Sequence, residues 1–190
     1  PLRDSIVITV CDEGATYMEE FPTFVTHLEC SETGKHYPAD QLHGLSDAGK
    51  PLLVRYDLDG LGKAVTKQDL KSRLPELWRY REFLPVRHSQ NVVRLGELMT
   101  PLLPAIKIQR EYQCGEILIK DEGRLPTGSF KARGLTMAVS MAKELGVRVM
   151  AMPTNGNAGA ALAAYSMSDN IRSVELGEGA DPGAVAAQLT

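Results

Sequence analysis

An α/β fold with a small β subdomain at its front is expected from this chain. Apolar runs rich in β-branched residues alternate with helical stretches after residue 116. Before residue 60 the pattern is instead short-stranded and turn-rich. The 190 residues, 43% hydrophobic and 24% charged, have the balance of a folded globular protein and suit one domain with a real core.

Residues 1–24 hold one strand-like stretch, Ser5-Ile-Val-Ile-Thr-Val10, and then an acidic segment without periodicity. Residues 25–60 read as two or three small strands, at 28–30, 33–37 and 52–57, in a hairpin-like subdomain. A helix is expected within 68–83, with Pro75 near a helix start and Pro85 ending it. The stretch 91–109 contains Pro101 and Pro104 and reads as loop and edge strand rather than helix.

From there the pattern becomes regular. Residues 116–121 form a strand, broken by Pro and Gly at 123–128. Ser129 stands where an N-cap would, and 130–145 keeps Phe130, Met137, Met141 and Leu145 on one face before Gly146 stops the helix. A buried-type strand at 147–152 opens into Pro153-Thr-Asn-Gly-Asn-Ala-Gly159, and 160–167 is an alanine-rich helix. If the strands at 116–121 and 147–152 lie parallel in one sheet, the loops leaving both share a rim. Open α/β sheets bind ligands along that rim, where helix N-termini present free N–H groups.

A net charge of −3 disfavours a nucleic-acid partner. No apolar run approaches ~18 residues and no basic-then-apolar leader opens the chain, so no membrane partner and a cytoplasmic location are expected. Cys11, Cys30 and Cys114 are too scattered for a disulfide framework.

Lys131 is the first candidate for chemistry. A cation is least favoured in the first turn of a helix, which biases the amine toward the neutral form that attacks an aldehyde. A solvated helix lysine beside Arg133 is the plainer alternative, and the Gly128-Ser129 turn ahead of it shifts the balance. Asn155-Gly-Asn157 is the second piece: glycines at a strand-to-helix junction free backbone N–H groups for an anion, and an amide side chain can bond an oxyanion.

Pro126-Thr-Gly-Ser-Phe-Lys-Ala-Arg-Gly134 and Thr154-Asn-Gly-Asn-Ala-Gly159 together resemble the lysine motif and asparagine loop of the pyridoxal-phosphate enzymes of the tryptophan-synthase-β fold type, and within them the threonine synthases. Leu95-Gly-Glu97, Thr100-Pro-Leu102, Lys120-Asp-Glu122 and Leu77-Trp-Arg-Tyr-Arg81 extend the likeness over roughly residues 24–165. The resemblance implies part of a three-layer αβα domain of PLP fold type II, with pyridoxal 5'-phosphate as cofactor. It implies Lys131 as Schiff-base lysine and proton shuttle, and Asn157 as partner of the cofactor's ring oxygen. Thr154, Asn155 and Gly156 would hold the substrate carboxylate. Lys120, Arg133 and Ser129 are candidate cofactor, phosphate or substrate contacts, with a structural ion pair or cap as the alternative for each. The implied reaction converts O-phosphohomoserine and water to threonine and phosphate.

Two departures accompany the resemblance. Relatives often open with a zinc-ribbon-like knuckle of four cysteines, whereas Cys30-Ser-Glu-Thr33 and Ser46-Asp-Ala-Gly49 keep one. No metal is expected, His27, His36 and His43 reading as surface histidines, and the hairpin subdomain should persist around a core in place of the ion. Neither a glycine-rich phosphate loop nor a partner for the pyridine nitrogen is found. The likeness is expected to stop after Tyr165, making 61–167 the N-terminal portion of the cofactor domain and 168–190 an atypical tail of a truncated chain with little turnover of its own. A serine or threonine dehydratase, or a non-catalytic metabolite- or partner-binding module, is the alternative, and pairing with a second copy stays open. The central expectation is spatial: Lys131 and Asn157 face one another across one crevice at the carboxyl edge of parallel strands.

Overall fold

The computed structural model describes residues 19–154 and 156–176; the strand expected at 5–10 and the candidate Asn155 lie outside the described residues. The small subdomain is an antiparallel sheet of β1 (Val25–Cys30), β2 (His36–Tyr37) and β3 (Leu52–Tyr56), ordered β2-β1-β3. Where β1 ends, the Cys30 thiol and the Ser46 hydroxyl share a hydrogen bond at 3.1 Å. The Thr33 amide donates to the Cys30 sulfur at 3.4 Å, and the Lys50 amide donates to the Ser46 hydroxyl at 3.1 Å. Two polar turns thus close on a buried thiol–hydroxyl pair.

Two short helices follow, α1 (Leu58–Ala64) and α2 (Lys67–Ser72). Asp57 caps the first by accepting from the Gly60 amide, and Thr66 with Asp69 forms a capping box on the second. The helix expected within 68–83 comes in two pieces. Ahead of Pro75, which has no amide to continue a ladder, Arg73 turns extended, and a 3₁₀ helix at Leu77–Phe83, kinked at Tyr80, takes up the chain before Pro85.

Past a single 3₁₀ turn at Ser89–Asn91, β4 (Leu102–Pro104), α3 (Ile106–Tyr112) and β5 (Leu118–Lys120) come in succession. The reading of 91–109 as loop and edge strand holds only as far as Pro104, because that proline lies ahead of α3 rather than inside it. Single 3₁₀ turns at Glu122–Arg124 and Pro126–Gly128 lead into α4 (Lys131–Glu144), β6 (Val149–Pro153), α5 (Asn157–Met167) and β7 (Arg172–Leu176). No helix among the described residues is long and apolar enough to cross a membrane.

The sheet topology corrects the sequence reading in two places. β5 does not join β6; it pairs antiparallel with β4, and β6 pairs in parallel with β7 across α5. Closing the chain over residues 105–117 costs less entropy than closing it over 121–148, and the three residues of β5 are all exposed and offer little apolar surface for a parallel sheet. The second correction is β7 itself, a strand inside the stretch read as tail. Val174 is its one β-branched residue, so propensity gave no signal, and pairing across α5 decides the outcome.

α4 and α5 pack together over the main core, which contains Leu125, Ala132, Leu135, Val139, Leu162 and Tyr165. A second cluster gathers Phe21, Trp78 and Val86. Between the loop at 93 and α4 the contact is polar. The buried Val93 amide donates to Ser140 Oγ at 2.8 Å, and Thr136 Oγ1 donates to the Val93 carbonyl at 2.5 Å. Glu144 secures the preceding segment by accepting from the Arg87 amide at 2.9 Å and the His88 amide at 3.0 Å. Ser140→Ala strands a buried amide and should destabilise the protein by about 1–3 kcal/mol in equilibrium urea unfolding. Thr136→Ser, which keeps its hydroxyl, should cost less.

Candidate active site

Lys131 is the first residue of α4 and lines a crevice of about 560 Å³. Met150, Ala151 and Met152 of β6 and Leu162 of α5 give it apolar walls, and Glu122, Lys131 and Arg133 are its charged residues. The Lys131 amine lies 4.8 Å from the centre of the Phe130 ring. Among the described residues no carboxylate comes within ion-pair distance of it. Ser129 is buried, and its hydroxyl accepts from the Lys131 amide at 3.4 Å, but the N-cap position of α4 falls one residue later, at Phe130, which makes no side-chain cap.

Glu122 organises the polar side of the crevice. Arg133 donates to it twice, from Nε at 2.6 Å and Nη2 at 3.0 Å, and the Thr100 hydroxyl donates to it as well. Lys120 Nζ lies 3.7 Å from the same carboxylate and donates to the Thr100 carbonyl at 3.3 Å. These contacts, the Arg133 hydrogen bond first, draw the Glu122 carboxyl down to about 2. Lys120 and Arg133 are therefore members of an ion-pair network, with Arg133 at the crevice wall.

At the start of α5 the Thr154 hydroxyl accepts from the Gly156 amide at 3.2 Å and the Gly159 amide at 2.9 Å, capping the helix from two residues ahead of Gly156. Gly156 has φ +139°, a conformation that favours glycine. Asn157 is exposed, opens α5, and is not among the residues lining the crevice. The two motifs come near one another by a route other than the expected shared sheet. α5 packs both on α4 and on the turn at Pro126–Gly128, which places the lysine segment against the asparagine helix.

Sequence reasoning passed over several groups. Thr127 has φ +63° and Gly128 φ +69°, two left-handed residues in succession, the first of them β-branched. Its hydroxyl is buried without a hydrogen-bond partner. No pattern of residue types announces such a backbone. Glu97 is fully buried, accepts from the Tyr165 hydroxyl and from the Leu95 amide at 2.8 Å, and has a second oxygen without a partner. Burial, then that hydrogen bond, pushes the Tyr165 hydroxyl well above the phenol range. His27, Glu29 and His36 converge on the small sheet, and only strand register could have shown it.

Residues 93–175 match the model of a family described as pyridoxal-phosphate dependent enzyme. The match covers 83 of the 190 residues. The match runs through β7, so the likeness does not stop at Tyr165 as the sequence suggested. The chain is similar to the threonine synthase of Methanocaldococcus jannaschii, 37% identical over 147 residues, which are 77% of this chain and 36% of that protein. It is 34% identical over 151 residues to the threonine synthase of Methanosarcina acetivorans, covering 79% of this chain and 36% of the relative. A shorter stretch of 94 residues is 44% identical to the threonine synthase of Synechocystis. The chain thus spans about a third of the length of the first two curated relatives, 36% in each case.

The cofactor inferred from the lysine motif is the cofactor of the family, and the crevice suits it. Apolar walls accept a planar ring, and a lysine amine stands inside with no carboxylate partner among the described residues. The unpartnered Thr127 hydroxyl lies in the preceding turn, Pro126–Gly128, four residues before that lysine, and is not among the residues lining the crevice.

The Glu122 network sets an acid-side prediction. Its folded carboxyl titrates near 2 against an ordinary value of 4.5, so the unfolded chain takes up the proton first as pH falls. The stabilisation is complete above about pH 4.5 and disappears on descending through pH 2. Stability measured over that window should fall less steeply in Glu122→Gln than in the parent protein.

Proposed function

We propose that this chain carries the lysine part of a threonine synthase site, which converts O-phosphohomoserine and water to threonine and phosphate with pyridoxal phosphate. The observation that carries this reading is Lys131, held at the head of α4 inside an apolar crevice with no carboxylate partner among the described residues. The relatives named threonine synthase support the choice of reaction. Bound at Lys131, pyridoxal phosphate supplies an electron sink.

The chain's own residues then position and move protons. Lys131 anchors the cofactor and carries protons to and from the substrate carbons. Ser129 keeps that lysine at the helix start, and Asn157 is assigned to the cofactor's ring oxygen. Thr154, Asn155 and Gly156 receive the substrate carboxylate. The Gly156 and Gly159 amides are already bonded to Thr154, so the Thr154 hydroxyl proton and the amides of Asn157 and Ala158 at the start of α5 are the donors this structure offers. Glu122 takes two of the five guanidinium donors of Arg133, leaving others for a phosphate group. Lys120, on the same carboxylate, is the second phosphate candidate. A cytoplasmic location goes with this reading.

Among the described residues the charged lining is Glu122, Lys131 and Arg133, which gives the cofactor's own phosphate few donors in the crevice. Affinity and turnover of the isolated chain should therefore be low. Pyridoxal phosphate added to the protein should give a visible absorbance band, and borohydride should fix the cofactor on the Lys131 peptide, as read by mass spectrometry. Lys131→Ala should lose both signals, and equal fixation in that variant would defeat the assignment. Phosphate release from O-phosphohomoserine should rise from near background to ready turnover when the chain is extended with the second half of a threonine synthase. Consumption of serine by the extended protein, without phosphate release, would assign the site to dehydration instead.

A further inference from the structure

On the small sheet, far in sequence from Lys131, β1 carries His27 and Glu29 two residues apart, on one face of the strand. The antiparallel register sets His36 of β2 directly opposite Glu29. Glu29 Oε2 lies 3.9 Å from His27 Nε2 and 3.7 Å from His36 Nε2, and the two imidazole rings lie 3.9 Å apart between centres, tilted 32° to one another. All three potential ligand atoms fall within 4.8 Å of one another.

The surrounding hydrogen bonds orient these atoms. Thr26 Oγ1 donates its one proton to the Arg55 carbonyl at 3.1 Å, so toward His27 Nδ1, 2.9 Å away, it acts as acceptor. The neutral His27 ring then carries its proton on Nδ1 and turns a lone pair outward from Nε2. That nitrogen is buried and has no hydrogen-bond partner. What it faces is Glu29 Oε2, itself an acceptor, across a gap too wide for a hydrogen bond. A lone pair and a carboxylate oxygen aimed at one space, with a second imidazole at its side, is the geometry that a cation satisfies. A hydroxyl holding the far nitrogen of a ligating histidine is the usual outer support of such a site.

We propose that His27 Nε2, Glu29 Oε2 and His36 Nε2 bind a borderline divalent metal ion, taken here as Zn²⁺, with water as fourth ligand. Two imidazoles and one carboxylate favour such ions over Mg²⁺ or Ca²⁺, which select oxygen. Zinc bonds of ~2.0–2.2 Å in tetrahedral geometry separate ligand atoms by roughly 3.3–3.5 Å. The two separations from Glu29, 3.9 and 3.7 Å, need a contraction of only a few tenths of an ångström, and the two histidine ligand nitrogens lie within 4.8 Å of one another. The His36 side chain is 62% exposed, so the ion has an entry path and water has a place in the shell. Arg55 opposes the cation, since its Nη2 donates to Glu29 Oε1 at 2.6 Å, yet that contact also fixes the carboxylate with Oε2 toward the histidines. The ion would clamp the two-residue β2 onto β1, a structural role separate from the crevice at Lys131.

The test is a Zn²⁺ titration of the full chain against a chromophoric chelator, with Cys114→Ser as background to remove the exposed thiol. One equivalent should bind, and His27→Gln and His36→Gln should each weaken binding at least tenfold. His36 is exposed enough that its replacement should leave the fold intact, which circular dichroism checks. Co²⁺ should give the intense visible bands of a four-coordinate ion in the parent and lose them in both variants. No zinc uptake, or uptake equal in the parent and both histidine variants, would overturn the proposal.

Discussion

Val93 crosses α4 inside the core, and there its amide and carbonyl would both be stranded from water. Thr136 and Ser140, one helical turn apart, satisfy the two groups in turn. A hydrocarbon side chain at either position would fill the volume and leave a polar orphan. The pair sets the depth and rotation of α4 against the loop at 93, and with them the position of Lys131 at its head. Glu144 adds a further fastening at the other end of the helix by gathering the amides of Arg87 and His88. The lysine is thus presented by a helix gripped at its middle and its far end.

Charge near the crevice follows the same economy. Glu122 draws Thr100, Lys120 and Arg133 to one carboxylate, and the favourable state of that cluster is the ionised one. Lys131 stands outside it, against the Phe130 ring. A lysine tied to an acid would have to break that pair before reacting. Here the acid is occupied by two other cations.

Much of this was legible in the residue pattern. The turn-rich strands of the small sheet, α4 ending before Gly146, and the alanine-rich α5 each follow from local rules. Pairing was harder, because β5 carries no mark that says whether β4 or β6 is its neighbour, and loop closure decides between them. β7 escaped notice since a five-residue strand with one β-branched residue has little intrinsic preference. Of the site, Lys131 announced itself through helix-end chemistry, and Thr154 entered only through the resemblance of its loop. Thr127 did not, since a positive φ leaves no trace in composition, and neither did the meeting of His27 with His36, which depends on strand register.

Two consecutive left-handed residues, Thr127 and Gly128, immediately precede the buried Ser129. A β-branched residue in that conformation stores about 1–3 kcal/mol, and the packing of its flanks, Leu125 and Ser129, must hold it there. A relaxed turn would sample many shapes, and a visiting ligand would have to freeze one of them at the expense of its own affinity. Here the freezing of that turn is completed when the chain folds, so the backbone that leads into Lys131 has its shape before any guest arrives.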